Sequence, residues 1–322
     1  MAARDSQPLK VVLQYDCTPR LQAQLDTLRR DWLQMDWVAE TDKTTFTRLM
    51  QDADVLWHVL EPVTAEVIRT APRLRLIQKI GVGVNTIDRV AARAQRVTVA
   101  NMPGTNSQAV AEHTLTLMLA VLRRAIPLDR LTRAGHGWSF DRQLLDQVGE
   151  LHGRSVGFVG FGAVPQRLAP VCEALGCRVA YTATKPKTEL RWPYLSLDDL
   201  LQCSDIVSLH APLVPATTQL INREALRKMK PGAILINTAR GGLVDESALL
   251  EALTTGRLAG AGLDVFSTEP VDSANGLLRL DNVVVAPHVA WMTPETLERS
   301  LGVAVENCRR LCTSEPLLHE VP

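Results

Sequence analysis

Three side chains of complementary chemistry stand near the C-terminal end of the chain, each where an apolar run stops: Arg240, Glu269 and His288. An arginine can bind a carboxylate through its planar fork, and a histidine beside a glutamate can exchange a proton near neutral pH. In an open parallel sheet, ligands bind outside the carboxyl ends of the strands, so these residues are expected to converge. Together they predict a hydride-transfer site. Each has an alternative interpretation when taken singly: Arg240 as the cap of a loop, Glu269 as part of a plain turn, and His288 as an interior histidine.

The overall composition favours a small-molecule partner. The 322 residues are enough for two domains, and 35 basic residues balance 35 acidic ones, so neither nucleic acid nor a membrane surface is expected to bind. The apolar stretch 115–122 is too short to cross a bilayer and predicts a buried helix. Residues 1–6 lack the apolar core of a secretory signal, which predicts a cytoplasmic location.

The six cysteines are scattered and lie mostly in apolar or helical patterns. Cys308 and Cys312 are one helical turn apart, but no histidine or carboxylate cluster completes a set of metal ligands. Reduced cysteines that act as small apolar residues, and no metal site, are therefore expected.

Short apolar runs that suit strands alternate with helical patterns along the chain. This alternation predicts an α/β fold of doubly wound parallel sheets covered by helices on both faces. The predicted strands are 11–14, 55–58, 76–79, 155–159, 178–181, 206–210, 233–237 and 283–286.

Two breaks divide the chain into predicted domains, residues 1–102 with 292–322 and residues 103–291. The first break is the turn-rich stretch 101–107, which precedes a helix predicted from about 108 to 124. At the second, Thr293 is a predicted N-cap and Pro294 the first residue of a last helix, which is expected to return to the first domain.

A glycine-rich turn follows the predicted strand 155–159. Gly160 and Gly162 would let the chain turn tightly and bring backbone N–H groups to a pyrophosphate at the start of the next helix. Pro165 replaces the third glycine of the usual pattern, which a first helical turn tolerates. A glycine turn that binds nothing is the alternative.

The segment that follows the predicted strand 178–181 indicates which dinucleotide binds. An NAD site would normally have a carboxylate here for the ribose hydroxyls, but residues 179–187 contain none. Thr182 or Thr184, with Lys185, could hold a 2′-phosphate instead, which favours NADP over NAD. The alternative is that Lys185 and Lys187 are solvated loop charges.

With these motifs in place, the chain resembles the D-isomer-specific 2-hydroxyacid dehydrogenases, and among them the glyoxylate and hydroxypyruvate reductases. The resemblance covers nearly the full length. It rests on the segments 81–88, 111–114, 160–165 and 210–213, and on those around Arg240, Glu269 and His288.

The resemblance implies a Rossmann-type cofactor domain inserted into a flavodoxin-like substrate domain, a homodimer, and residues that line the cofactor. Ala163 departs from the arginine that is frequent at that position, and Thr182 takes the place of the usual acidic residue. The other implied cofactor contacts are Val82, Val164, Ala211, Thr238, Ala239, Asp264, His288 and Trp291.

The resemblance also implies the reduction of a small 2-keto acid, such as glyoxylate or hydroxypyruvate, to the D-2-hydroxy acid. Arg240 would anchor the carboxylate and polarise the ketone, and His288 would be the general acid. Glu269 would hydrogen-bond the other ring nitrogen and stabilise the imidazolium, so reduction is expected to slow at alkaline pH. The implied substrate contacts are Val59, Leu60, Val82, Gly83, Arg240, His288 and Trp291.

Other polar residues receive different interpretations. His113 and His210 are interpreted as structural, and Asp264 as a polar residue of the cofactor site rather than a base. Two alternative functions stay open: a dinucleotide-sensing, corepressor-like interaction protein, and a dehydrogenase of the same family with an unusual donor such as phosphite.

Overall fold

The computed structural model describes residues 7–322, so the prediction that residues 1–6 carry no secretory signal lies outside the described residues. Strands β1 to β11 are Leu9–Gln14, Leu33–Val38, Val55–His58, Leu76–Lys79, Thr98–Ala100, Ser155–Val159, Arg178–Thr182, Ile206–Leu209, Ala233–Asn237, Leu258–Leu263 and Val283–Val285. Helices α1 to α11 are Pro19–Leu28, Lys43–Met50, Ala65–Arg69, Arg89–Ala94, Ser107–Leu122, Ala125–Arg133, Ala163–Ala174, Leu197–Cys203, Arg223–Lys228, Glu246–Thr254 and Pro294–Thr313.

The chain divides into two compact units. Of the described residues, 7–106 and Thr293–Pro322 form the first unit, and Ser107–Met292 form the second. The divisions predicted from the sequence fall at 103 and 291; the assignment of substrate binding to the first unit stays a prediction.

The first unit contains a parallel sheet with the strand order β2-β1-β3-β4-β5. This order is that of flavodoxin-like folds. Every residue of β3 and β4 is buried, as expected for central strands with helices on both faces.

The second unit contains a parallel sheet with the order β11-β10-β9-β8-β6-β7. Beyond β7, Tyr194 forms a single parallel bridge with Tyr181 in place of a further strand. If that bridge is counted as a strand, the strand order is that of doubly wound Rossmann folds. The order in which the chain adds strands to the sheet reverses between β6 and β8, which is the point where such folds bind a ligand. The predicted fold class, two doubly wound α/β domains, is confirmed.

Strands β2, β5 and β10 are absent from the prediction, and β10 shows why. Its sequence, LAGAGL, is rich in glycine and alanine, which have low strand propensity. A Cβ atom on Gly262 would lie 2.9 Å from Leu117 Cβ, and one on Gly260 would lie 2.7 Å from Val121 Cγ1. These glycines therefore let helix α5 pack closely on the sheet, a demand of tertiary packing that strand propensity does not reveal.

Helix α5 ends at Leu122 instead of the predicted Arg124. Arg124 adopts a left-handed backbone conformation, with φ of 49°, and precedes helix α6. Its guanidinium is buried and donates hydrogen bonds to Ala259 O (3.2 Å) and Gln147 Oε1 (2.8 Å). Within residues 7–322, no helix combines the length and apolarity needed to cross a membrane.

Helix α11 begins as predicted and is tied to the sheet of the first unit. The Thr293 hydroxyl accepts a hydrogen bond from Thr296 N at 3.1 Å, the geometry of an N-cap. Further along, the fully buried Asn307 amide donates to Gln78 Oε1 (2.6 Å) and to Leu318 O (3.1 Å), and accepts from Leu318 N (2.7 Å). One side chain thus joins α11, strand β4 and the C-terminal segment.

We expect the Asn307→Ala substitution to lower the free energy of unfolding by about 1–3 kcal/mol, because it leaves buried polar groups without partners. Urea unfolding followed by circular dichroism measures the change. The control is Glu298→Ala on the exposed face of the same helix, which should stay within about 0.5 kcal/mol of the wild type. Equal stability of the two variants would contradict this role for Asn307.

Candidate active site

The three residues predicted to form the hydride-transfer site follow three neighbouring strands of the second unit. Strand β10 pairs with both β9 and β11, in parallel, with Leu263 opposite Asn237 and Val285. Arg240, Glu269 and His288 therefore lie in loops at the same edge of one sheet.

Glu269 and His288 form a direct contact. His288 Nδ1 lies 2.7 Å from Glu269 Oε2, and Glu269 Oε1 accepts a hydrogen bond from Phe266 N at 3.0 Å. The side chains are 25% and 36% exposed for histidine and glutamate, respectively, so the pair is accessible. Since Nδ1 is engaged, Nε2 is the ring nitrogen that can exchange a proton with a ligand.

The charges at this edge affect one another. Burial raises the pKa of the Glu269 carboxyl, but hydrogen bonds from His288 and Phe266, with the charges of His288 and Arg240, outweigh it and lower the pKa overall. Burial lowers the pKa of Arg240, and the charge of Glu269 opposes this effect. An arginine is nevertheless charged at neutral pH, so this edge combines a partly buried cation with a carboxylate whose lowered pKa keeps it ionised.

Asp264 holds the loop that carries His288, a role that was not predicted from the sequence. Its buried carboxylate accepts hydrogen bonds from Val289 N (2.9 Å) and Ala290 N (3.0 Å), and its backbone oxygen accepts from His288 N (2.7 Å). These contacts stabilise the left-handed conformation of His288, with φ of 56°, which is uncommon for a residue other than glycine. The aspartate directly after an apolar strand is the signal in the sequence.

A tight turn positions Arg240. The buried Asn237 side chain donates to Arg240 O (2.9 Å) and accepts from Ala239 N (3.0 Å). A Cβ atom on Gly241 would lie 1.8 Å from Phe266 C, so only glycine lets the Arg240 turn approach the loop that carries Glu269.

Glu246 supports the same loop and is also absent from the predicted site. Its carboxylate accepts hydrogen bonds from Ser267 N and from Asn275 Nδ2, the latter at 3.1 Å. Because Glu246 is also the first residue of α10, its sequence context indicates only a helix start.

The glycine loop has the features that a pyrophosphate requires. Gly160 has a φ of 87°, and a Cβ there would lie 2.8 Å from backbone atoms of residues 210 and 211. Gly162 is the N-cap of α7 without a side-chain capping bond, and nothing lies within 4 Å of the place of its Cβ. A phosphate can therefore approach the first N–H groups of this helix. Pro165 lies buried in the first turn, where a proline is tolerated.

The predicted 2′-phosphate segment follows strand β7. Thr182 is buried at the strand end, and its carbonyl accepts a hydrogen bond from Gly160 N at 2.9 Å. Thr184 and Lys185 are exposed. Lys187 is not a freely solvated loop charge, because its Nζ donates to Phe161 O at 2.9 Å.

His210 and His113, the two histidines interpreted as structural, stand in different surroundings, and their roles stay predictions. His210 is buried, its Nε2 lies 2.8 Å from Ser208 Oγ, and burial lowers its pKa to about 3. His113 Nε2 lies 3.4 Å from Asp264 Oδ1, close enough for electrostatic attraction but without hydrogen-bond geometry. Residues 7–322 contain no group of three or more metal-ligating side chains placed to hold a metal ion.

The remaining predicted site residues belong to both units. In the first unit, Val59 is buried, Leu60 and Val82 are exposed, and Gly83 is partly exposed. In the second unit, the Thr238 hydroxyl lies 2.9 Å from that of Thr114. The others of the second unit are exposed or partly exposed: Ala163, Val164, Ala211, Ala239 and Trp291.

Comparison with known proteins identifies the family. Residues 115–290 match the model of the D-isomer specific 2-hydroxyacid dehydrogenase NAD binding domain. The glyoxylate reductase of Korarchaeum cryptofilum is 38% identical over 275 residues, 84% of this chain and 82% of the relative. The D-3-phosphoglycerate dehydrogenase of Mycobacterium leprae is 39% identical over 290 residues, 88% of this chain.

The match spans only 54% of that phosphoglycerate dehydrogenase, so the chain corresponds to about half of it. Among solved structures, the TT0316 protein from Thermus thermophilus aligns with a TM-score of 0.89 and 38% identity, over 98% of this chain and 100% of the other. The predicted resemblance is confirmed: the chain belongs to the D-isomer specific 2-hydroxyacid dehydrogenases, a family of NAD(P)-binding oxidoreductases.

Proposed function

We propose that the protein reduces small 2-keto acids of the glyoxylate or hydroxypyruvate type to D-2-hydroxy acids, with NADPH as the preferred reductant. The observation that carries this proposal is the hydrogen bond between His288 and Glu269 at the sheet edge where Arg240 follows strand β9. This edge combines an acid–base group with a cation, which are the two requirements of keto-acid reduction that side chains can meet.

Arg240 binds the carboxylate of the substrate. Its guanidinium can form two parallel hydrogen bonds to a carboxylate, and a further N–H can polarise the ketone oxygen. Partial burial strengthens both interactions, because less water competes for the charge.

His288 donates the proton to the ketone oxygen from Nε2, while Nδ1 keeps its bond to Glu269. The lowered pKa of the Glu269 carboxyl keeps it ionised, so it can accept the hydrogen bond from Nδ1 and stabilise positive charge on the ring. The nicotinamide, when bound, supplies the hydride. In the reverse direction, neutral His288 accepts the proton of the hydroxy acid.

The preference for NADPH is supported by the segment after β7. Thr182 ends the strand, residues 179–187 contain no carboxylate that would repel a 2′-phosphate, and Lys185 adds a positive charge. The roles assigned to Val59, Leu60, Val82, Gly83 and Trp291, the homodimer and the cytoplasmic location stay predictions.

We expect purified protein to oxidise NADPH faster than NADH with glyoxylate and with hydroxypyruvate, as measured by the fall in nicotinamide absorbance at equal cofactor concentration. D-3-phosphoglycerate and phosphite, each with NADP⁺ and with NAD⁺, complete the assay. Turnover with phosphoglycerate or phosphite, but not with either keto acid, would overturn the proposed substrate class. A preference for NADH would overturn the cofactor assignment. Cofactor binding without turnover would favour a sensor.

We expect the rate of reduction to fall at alkaline pH, where the site no longer supplies the proton that the ketone oxygen needs. Glu269→Gln removes a negative charge that favours a protonated ring, so the alkaline fall in kcat/KM should move to lower pH. The measurement is kcat/KM from pH 5 to pH 10, with a deuterated cofactor to verify that chemistry is rate-limiting.

The matched control for this profile is Glu150→Gln, which changes an exposed glutamate elsewhere in the second unit. Its profile should coincide with that of the wild type. An unshifted profile in Glu269→Gln, with chemistry rate-limiting, would contradict the acid–base assignment.

We expect Arg240→Lys to lower kcat/KM for the keto acid by about 100-fold or more, because an ammonium cannot form the bidentate contact. Cofactor affinity, measured by nicotinamide fluorescence, should stay close to the wild-type value. The exposed Arg279→Lys is the control and should keep full activity. Near-normal turnover in Arg240→Lys would exclude Arg240 as the anchor.

A further inference from the structure

Lys187 links two segments that the dinucleotide site of a Rossmann fold brings together. It lies in the loop after strand β7, and its Nζ donates a hydrogen bond to the carbonyl of Phe161, 2.9 Å away, between the two glycines of the glycine loop. Gln166 Nε2 donates to the same carbonyl at 3.2 Å. The Lys187 side chain thus reaches back from one loop to the other.

The backbone of Lys187 is anchored as well. Its N–H donates to the hydroxyl of Tyr181 at 2.8 Å, and that hydroxyl lies 3.3 Å from the carbonyl of Lys187. The Phe161 ring packs against the ring of Tyr181, with centroids 4.5 Å apart, and against that of Trp192, with centroids 5.3 Å apart. Anchoring at both ends fixes where the ammonium lies, which lowers the entropy cost of using it to bind a ligand.

This ammonium lies beside the glycine loop, in the region where a Rossmann fold binds the adenine ribose. In a Rossmann fold, the adenine ribose lies between the first glycine and the end of the second strand. Those two points are joined here by the hydrogen bond from Gly160 N to Thr182 O, at 2.9 Å. Lys187 reaches the residue directly after Gly160, and no carboxylate forms an ion pair with it among residues 7–322.

Lys185 differs from Lys187 in its surroundings. Its side chain is exposed, whereas Lys187 is partly buried with a defined acceptor. An exposed ammonium is strongly hydrated and loses more side-chain entropy on binding, so it contributes less than a preorganised one.

We propose that Lys187, two residues beyond the segment that the sequence singles out, is the cation that selects NADP(H) over NAD(H). Its ammonium has three donors, and the bond to Phe161 uses one of them. The other two N–H donors can bind a 2′-phosphate, while the bond to Phe161 holds the Lys187 side chain against the glycine loop. This inference rests on the NADPH preference in the proposed function and names the residue responsible for it.

The test is direct binding of NADPH and of NADH, followed by nicotinamide fluorescence, to the wild type, Lys187→Met and Lys185→Met. Lys187→Met should weaken NADPH binding by about 10- to 50-fold and leave NADH binding within about 2-fold. Lys185→Met should weaken NADPH binding by much less. Lys187→Arg, which keeps the charge, should retain most of the affinity for NADPH.

Two results would overturn the inference. An equal loss of NADPH and NADH affinity in Lys187→Met would make Lys187 a structural support of the glycine loop, and a loss confined to Lys185→Met would assign the phosphate to Lys185. The control is Arg142→Met, an exposed cation of the second unit, which should bind both cofactors as the wild type does. Thermal unfolding of each variant verifies that it folds.

The outcome is separable from that of the keto-acid proposal, because binding is measured without substrate. If the wild type binds NADPH selectively but does not reduce a keto acid, the proposed activity is refuted. The binding of NADPH and NADH to the Lys187 variants then still decides the role of Lys187. A wild type that reduces keto acids but prefers NADH would refute the role of Lys187 and leave the activity in place.

Discussion

The candidate active site depends on one buried carboxylate, that of Asp264. The backbone N–H of Asp264 donates to Asn237 O at the end of β9, and its carbonyl accepts from His288 N. Its side chain accepts from the backbone N–H groups of Val289 and Ala290. A buried carboxylate is stable only when such donors surround it. Satisfying Asp264 therefore requires the ends of β9 and β10 and the loop after β11 to come together. These contacts fix the backbone of His288, and the bond from Phe266 N holds Glu269 beside it.

Close backbone packing adds a second constraint at the same edge. Gly241 lets the Arg240 turn approach the loop around Phe266, and Gly160 lets the glycine loop approach the segment at residue 210. In both places, even a methyl group would have to displace backbone atoms, which are hard to move in a packed interior. The positions of Arg240 and of the glycine loop therefore depend on Gly241 and Gly160, two residues without a side chain that could take part in chemistry.

Local environment gives similar residues different chemistry in this protein. His210 is buried beside a serine and stays neutral, whereas His288 is partly exposed and hydrogen-bonded to an ionised glutamate. Lys185 and Lys187 differ in the same way, one exposed and the other bonded to a carbonyl. Burial and the nearest partner decide which histidine can exchange a proton and which lysine is preorganised.

The sequence by itself determined the fold class, because apolar runs that alternate with helical patterns are typical of parallel sheets covered by helices. It also singled out Arg240, Glu269 and His288, since strand ends meet at one edge in parallel sheets. Only the tertiary structure decided that LAGAGL is a strand, that Asp264 holds the loop of His288, and that Lys187 reaches the glycine loop. Each of these depends on contacts between residues distant in the chain or in neighbouring loops, and short-range propensity carries no information about such contacts.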